Sequence, residues 1–201
     1  MMRRGGWWHS ANVLVSSLSL VSREGAALDV ATIHDSHADF VWSTLQRLGV
    51  RSADLEDALQ EVFIVVHRRL ATFDGSSRLS TWLFGICLRV ASALRRKAYR
   101  RRERTGMDLE GAAGASTAEG PDAGVLERQA RARLEQVLDA LEPGRRAVFV
   151  MFEVEGIGCA EIAAQLGLAL GTVYSRLGAA RSDFAKIALR LQRREGAENN
   201  R

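Results

Sequence analysis

The run Gly158-Cys-Ala-Glu-Ile-Ala-Ala-Gln-Leu-Gly-Leu-Ala-Leu-Gly-Thr-Val-Tyr-Ser-Arg-Leu177 has the spacing of two short helices folded about a tight turn. Ala163, four residues before Gly167, is small enough for the two helices to approach closely. Gly167 can take the positive φ that such a turn requires. Val173, six residues after the glycine, points back into a shared core with Ile162, Leu166 and Leu177. The opposite face of the second helix then carries Thr172, Tyr174, Ser175, Arg176 and Arg181, side chains able to reach base edges and phosphates in a DNA major groove. A packed helical hairpin without a ligand could use the same small residues. The coincidence of turn, buried stripe and polar outer face points to DNA binding.

Working outward, residues 126–157 are helical in period. Leu126, Leu134, Val137, Leu138 and Leu141 form one stripe, and Pro143 suits the first turn of the next helix. That helix has the apolar face Val148, Phe149, Met151 and Phe152 and ends at Gly156. Upstream, Gly106 to Gly124 is small, polar and unpatterned, and reads as a flexible linker between two domains on separated sites.

The segment before the linker is also helical. Phe40, Val41, Leu45 and Leu48 make a stripe ended by Gly49. A second helix opens at Ser52 or Asp54, with Leu55, Leu59, Val62, Phe63, Val66 and Leu70 on one face. Its other face is acidic near the start (Glu56, Asp57, Glu61, with Gln60) and basic near the end (Arg68, Arg69). That order suits the helix dipole, so spacing alone leaves this a solvated face. Asp74-Gly75-Ser76-Ser77 signals a turn, and Ser80 or Thr81 is placed to cap the following helix. That helix packs through Leu83, Ile86, Cys87, Val90, Ala91 and Leu94.

It carries Arg89 and then Arg95-Arg-Lys-Ala-Tyr-Arg-Arg-Arg-Glu-Arg104, seven basic residues against one acidic. Such a tract is either a solubilising helix end or a phosphate-binding surface. The nearby aromatics Phe73, Trp82, Phe84 and Tyr99 favour phosphate binding.

Composition agrees with a nucleic-acid partner without demanding one: 201 residues, net charge +4 and pI near 9.7. The two cysteines, Cys87 and Cys159, are far apart in helical patterns and read as buried thiols, not a disulfide or metal framework. His34 and His37 read as exposed helix-start residues, and no cofactor is implied. Arg3-Arg4 and Val13 to Val21 imitate a secretory leader poorly, because serines interrupt the apolar run. No stretch of about twenty apolar residues occurs, so no membrane insertion is expected. A cytoplasmic chain follows, with the choice of start codon open.

Three stretches in register carry a family likeness: Asp54-Leu-Glu-Asp-Ala-Leu-Gln-Glu-Val-Phe63, Thr81-Trp82-Leu83 after a Gly-Ser turn, and Gly171-Thr-Val-Tyr-Ser-Arg-Leu177. Together they resemble an extracytoplasmic-function (ECF) sigma factor of bacterial RNA polymerase, over roughly residues 36–185. The resemblance implies an all-α chain of two helical domains: an N-terminal extension at 1–29, region 2 at 30–104, a linker at 105–125, region 4 at 126–193 and a polar tail at 194–201. It implies no enzymatic activity, but recruitment of core polymerase to a promoter subset and help in opening the duplex.

Asp57, Gln60 and Glu61 match the motif that docks on the β′ clamp, while Phe63 serves the core. The loop from Phe73 to Ser80, with Ser76, Ser77 and Arg78, resembles the segment that captures a flipped base of the −10 element. The helix from Trp82, with Arg89, Arg95, Arg96 and Lys97, would grip the DNA backbone beside it. Thr172, Tyr174, Ser175, Arg176 and Arg181 would read the −35 element, with this domain leaning on the β flap. An anti-sigma factor is a further expected partner.

Two departures bear on specificity. Gly85-Ile-Cys-Leu-Arg89 stands where many relatives read Arg-Ile-Ala-Arg-Asn, and Tyr174 stands where lysine is frequent. Both alter the expected promoter bases, not the fold. The leading rival is a free-standing helix-turn-helix repressor or activator, against which the acidic helix and long linker argue. A resolvase-type recombinase needs an α/β domain with an early nucleophilic serine, which the helical N-terminal half does not offer. A pure interaction protein, such as a transcription inhibitor, would not need the basic tract.

Overall fold

The computed structural model describes residues 29–105 and 125–198. The N-terminal extension and nearly all of the expected linker lie outside the described residues.

Helix α1 (Val30–Arg47) opens on Asp29, whose carboxylate accepts the Thr32 amide at 2.7 Å. That cap satisfies one of the free N–H groups of the first turn and holds the Asp29 carboxyl below its ordinary pKa. The helix stops at Gly49, whose φ of +84° an L side chain would resist. A short 3-10 turn, Ser52–Asp54, leads into α2 (Leu55–Arg69), which buries Leu55, Ala58, Val62, Phe63 and Val66. A second 3-10 turn, Leu70–Thr72, and a loop precede α3 (Leu79–Thr105). The three helices pack on one another around Val41, Leu45, Leu83, Phe84 and Cys87.

In the second half, α4 (Val125–Asp139) is followed by α5 (Pro143–Phe149), with Pro143 in its first turn as its lack of an N–H allows. Glu142 caps α5 by accepting the amides of Gly144 and Arg145 at 2.9 and 3.0 Å. The helix then widens into a π-helical turn, Val150–Val154. Helices α6 (Cys159–Leu166) and α7 (Leu170–Glu198) complete the chain. Among the described residues there is no strand, so the all-α class stands.

Two expectations are corrected. Helix α3 already begins at Leu79, so Ser80 and Thr81 sit in its first turn and do not cap it. The turn before it is held instead by Asp74, which accepts the Ser76 amide at 3.0 Å. Cys159 is half-buried at the first position of α6, not enclosed like Cys87. Helix α7 runs to Glu198, into the stretch expected as a polar tail.

The two halves also pack on each other. One hydrophobic cluster runs from Ile33, Leu48 and Phe84 through to Leu138, Phe149 and Ile162, because α1 packs on α4 and α3 on α6.

Candidate nucleic-acid interfaces

The helix-turn-helix forms as its spacing requires. Gly167 takes φ +63°, and the turn is closed by the Leu168 amide donating to the Ala163 carbonyl at 2.9 Å. Ile162, Val173, Leu177 and Ala180 are buried, which fixes the rotation of α7. Tyr174 is 58 % exposed and Ser175 is also exposed, so these two present the outward face.

The other three side chains expected there are partly engaged within the protein. Thr172 and Arg176 are half-buried, and the Arg176 guanidinium lies beside Gly144 and the Glu142 carboxylate at the start of α5. Arg181 donates from Nε to Glu153 at 2.6 Å and lies 5.2 Å over the Phe152 ring. Its contacts brace α7 against the π-helical turn that follows α5. Leu170, 43 % exposed at the start of α7, joins the outward face as an apolar group suited to a thymine methyl. The helical period hid it, because a leucine there reads as core.

On α3, Trp82, Arg89 and Arg96 recur at seven-residue intervals and therefore share one face, with Lys97 beside them. Arg89, Arg96 and Lys97 are exposed. Trp82 is half-buried, with its ring 5.2 Å from that of Phe73 at 47°. The loop between these rings exposes Ser76 and Arg78, while Ser77 is half-buried. Hydrogen bonds from Ser76 hold the Asp74 carboxyl below its usual range, so a fixed negative group shapes the loop.

Arg95 departs from the others. It is half-buried, pointing its Nη1 to the Leu48 carbonyl at 3.5 Å and its Nη2 to Ser92 at 3.3 Å. Burial, and next the nearby Arg146 charge, push its guanidinium pKa down. A 3.6-residue period explains this: Arg95 lies about 100° from Arg96 around the helix, toward the second half of the chain.

On α2, Asp57, Gln60 and Glu61 are all exposed and share one face at i, i+3 and i+4. Ile64, 44 % exposed, is the next residue on that face and was not foreseen. Its signal was present in the sequence: an isoleucine out of step with the buried stripe of α2. Among the described residues, no group of three metal-ligating side chains converges.

Comparison with known proteins agrees with this geometry. Sigma-70 region 2 matches residues 33–104, and sigma-70 region 4 matches residues 131–184. The chain is 32 % identical to the RNA polymerase sigma factor CnrH of Cupriavidus metallidurans, over 84 % of each chain. The chain belongs to the ECF sigma factors. The ECF RNA polymerase sigma factor SigE of Mycolicibacterium smegmatis is 36 % identical, over 70 % of this chain and 54 % of that protein. The fold matches that of the sigma factor RpoE from Bartonella quintana, solved in complex with the anti-sigma factor NepR. The TM-score is 0.64 at 20 % identity, covering 78 % of this chain and 94 % of that one.

As a sigma factor the protein is a non-enzymatic initiation factor that brings core RNA polymerase to specific promoters. No helix among its described residues is long and apolar enough to cross a membrane.

Proposed function

We propose that region 2 spans residues 30–104 and region 4 residues 126–193, and that the three surfaces above divide the work of initiation between them. The α2 face of Asp57, Gln60 and Glu61, extended by Ile64, docks on the β′ clamp of core polymerase. A central apolar side chain ringed by polar groups is the usual anatomy of such a contact. The Phe73–Ser80 loop takes a flipped −10 base, with the tilted Phe73 and Trp82 rings offering the stacking surface that offsets unstacking. Arg89, Arg96 and Lys97 hold the adjoining backbone, and Arg95 joins them only when it leaves its present site.

In the duplex −35 element, α7 reads bases through Leu170, Tyr174 and Ser175, while Thr172 and Arg176 reach the groove edge. Arg181 orients the helix in place of contacting bases. Region 4 leans on the β flap, the chain works in the cytoplasm, and an anti-sigma factor completes its partners, as NepR does for the RpoE of the same fold.

The observation that carries this reading is the exposed acidic face of α2 together with the separate exposed basic face of α3. A free-standing regulator needs the second and has no use for the first. The test is co-elution with sigma-free core polymerase, comparing the native chain with a triple Asp57→Ala, Gln60→Ala, Glu61→Ala variant. The native chain is expected to bind tightly and the variant to lose binding with its helical content intact. Equal binding by the two would remove the clamp assignment. Duplex binding without polymerase binding would favour the repressor or activator.

A further inference from the structure

The head of α5 and the middle of α7 face each other with charge running both ways. Arg145 of α5 donates from Nη1 to Asp183 of α7 at 2.5 Å. Glu142, just before α5, stands beside Arg176, which precedes Asp183 by seven residues and so lies two turns away on the same face of α7.

Around Arg176 the fit is close. A Cβ at Gly144 would stand 3.3 Å from Arg176 Nη1 and 3.3 Å from Glu142 Oε2, so the missing side chain of Gly144 leaves the guanidinium its place. The Glu142 carboxylate is itself pinned. Its Oε1 accepts the Gly144 amide at 2.9 Å and its Oε2 accepts the Arg145 amide at 3.0 Å, which ties both oxygens to backbone. The Gly144 amide chiefly, then the Arg145 amide and the Arg176 and Arg145 charges, hold this carboxyl below its usual range.

On the reading that Arg176 reaches the edge of the −35 groove, on which this inference rests, we propose that Glu142 and Gly144 form a seat that positions Arg176. Glu142 is then a specificity-determining residue that acts through another side chain. A free arginine samples many rotamers, and phosphates accept it in most of them. A base edge accepts it in one place. A seated guanidinium has given up that freedom before DNA arrives, which favours the base edge over the backbone. Glu142 is exposed in the free chain, and a duplex closing over the seat excludes water and strengthens its hold on Arg176. Its charge also repels phosphates, so the seat exchanges general affinity for selectivity.

The test uses the full chain bound to core polymerase, selecting from duplex promoters randomised over both elements. Anisotropy on selected and scrambled −35 duplexes reads affinity, and circular dichroism reads the thermal midpoint. The variants are Glu142→Gln, Gly144→Leu, Arg176→Ala and the double Glu142→Gln with Arg176→Ala. Arg176→Ala is expected to lose base preference at one or two adjacent −35 positions. Glu142→Gln keeps an oxygen to cap α5 and should lose preference at those same positions by about tenfold, within the range of one bidentate base contact. Its binding to scrambled duplex should equal or exceed the native. The double variant should lose no more than Arg176→Ala alone. Gly144→Leu fills the seat without altering charge and favours the helix, so preference should fall there while the thermal midpoint does not.

Native preference in Glu142→Gln or in Gly144→Leu, with Arg176→Ala altered, would overturn the seat and leave Arg176 as a base contact. Additive losses in the double variant, or loss at other positions, would overturn it as well, because Glu142 would then act apart from Arg176. Unchanged preference in Arg176→Ala would instead remove the −35 reading of Arg176 itself, and the seat with it.

Discussion

The two helices proposed to meet DNA hold their arginines in opposite ways. On α3, Arg89 and Arg96 stand exposed on one face with Lys97 beside them. On α7, Arg181 is tied to Glu153 and Phe152, Arg176 sits beside Glu142, and the neighbouring Arg145 of α5 pairs with Asp183 at 2.5 Å. The contrast separates two uses of one residue type. On the proposed reading, exposed cations on α3 supply a field for phosphates with little demand on geometry. Engaged cations on α7 fix where the helix points, which on the same reading leaves base contacts to a few outward side chains.

The strongest way to break this comparison is to loosen α7 from its brace. Phe149 is enclosed and stacks on Phe184 of α7 with centroids 4.9 Å apart and planes within 16°. Phe149→Ala should cost about 3–5 kcal/mol, as large cavities do, measured by urea unfolding. It should lose −35 duplex binding while −10 fork binding persists. Parallel loss of both would show that α3 depends on region 4 for its fold.

Next in size is the α3 triple Arg89→Ala, Arg96→Ala, Lys97→Ala. The slope of log K against log salt should become shallower by about 2–3, and binding should weaken on every sequence alike. A preserved slope would mean that these cations do not meet phosphates.

Gly167→Ala sharpens the α7 side of the contrast. At φ +63° a Cβ costs roughly 1–2 kcal/mol, expected as a lowered thermal midpoint with unchanged −35 base preference once folded. The smallest effect belongs to Arg181→Ala. Its guanidinium is half exposed, so screening leaves the pair worth less than about 1 kcal/mol. The salt slope of −35 binding should stay as in the native chain. A slope reduced by about 0.9 would return Arg181 to the phosphate-binding set.

Much of the site was legible because its signals are local. The acidic face of α2 and the heptad face of α3 follow from the helical repeat, as the turn at Gly167 follows from its missing Cβ. Arg181 and Arg95 were misplaced for the same reason. Both lie on helix positions open to solvent in an isolated helix, and each is engaged by a residue from a different element. Leu170 was passed over because an apolar residue at a helical spacing reads as core until the packing shows it outside, whereas Ile64 stood out of step with the buried stripe of α2 and was legible.

The sequence by itself determined that the chain is helical, where its tight turn falls and which stripes are buried. These depend on residues within one or two turns of each other, where backbone geometry leaves few choices. Only the tertiary structure decided that Glu155 meets Arg47 across 108 residues, that Gln165 covers Gly85, and which arginines face solvent. Such contacts depend on how finished helices pack, and one helical period allows many packings whose energies differ by only a few side-chain contacts.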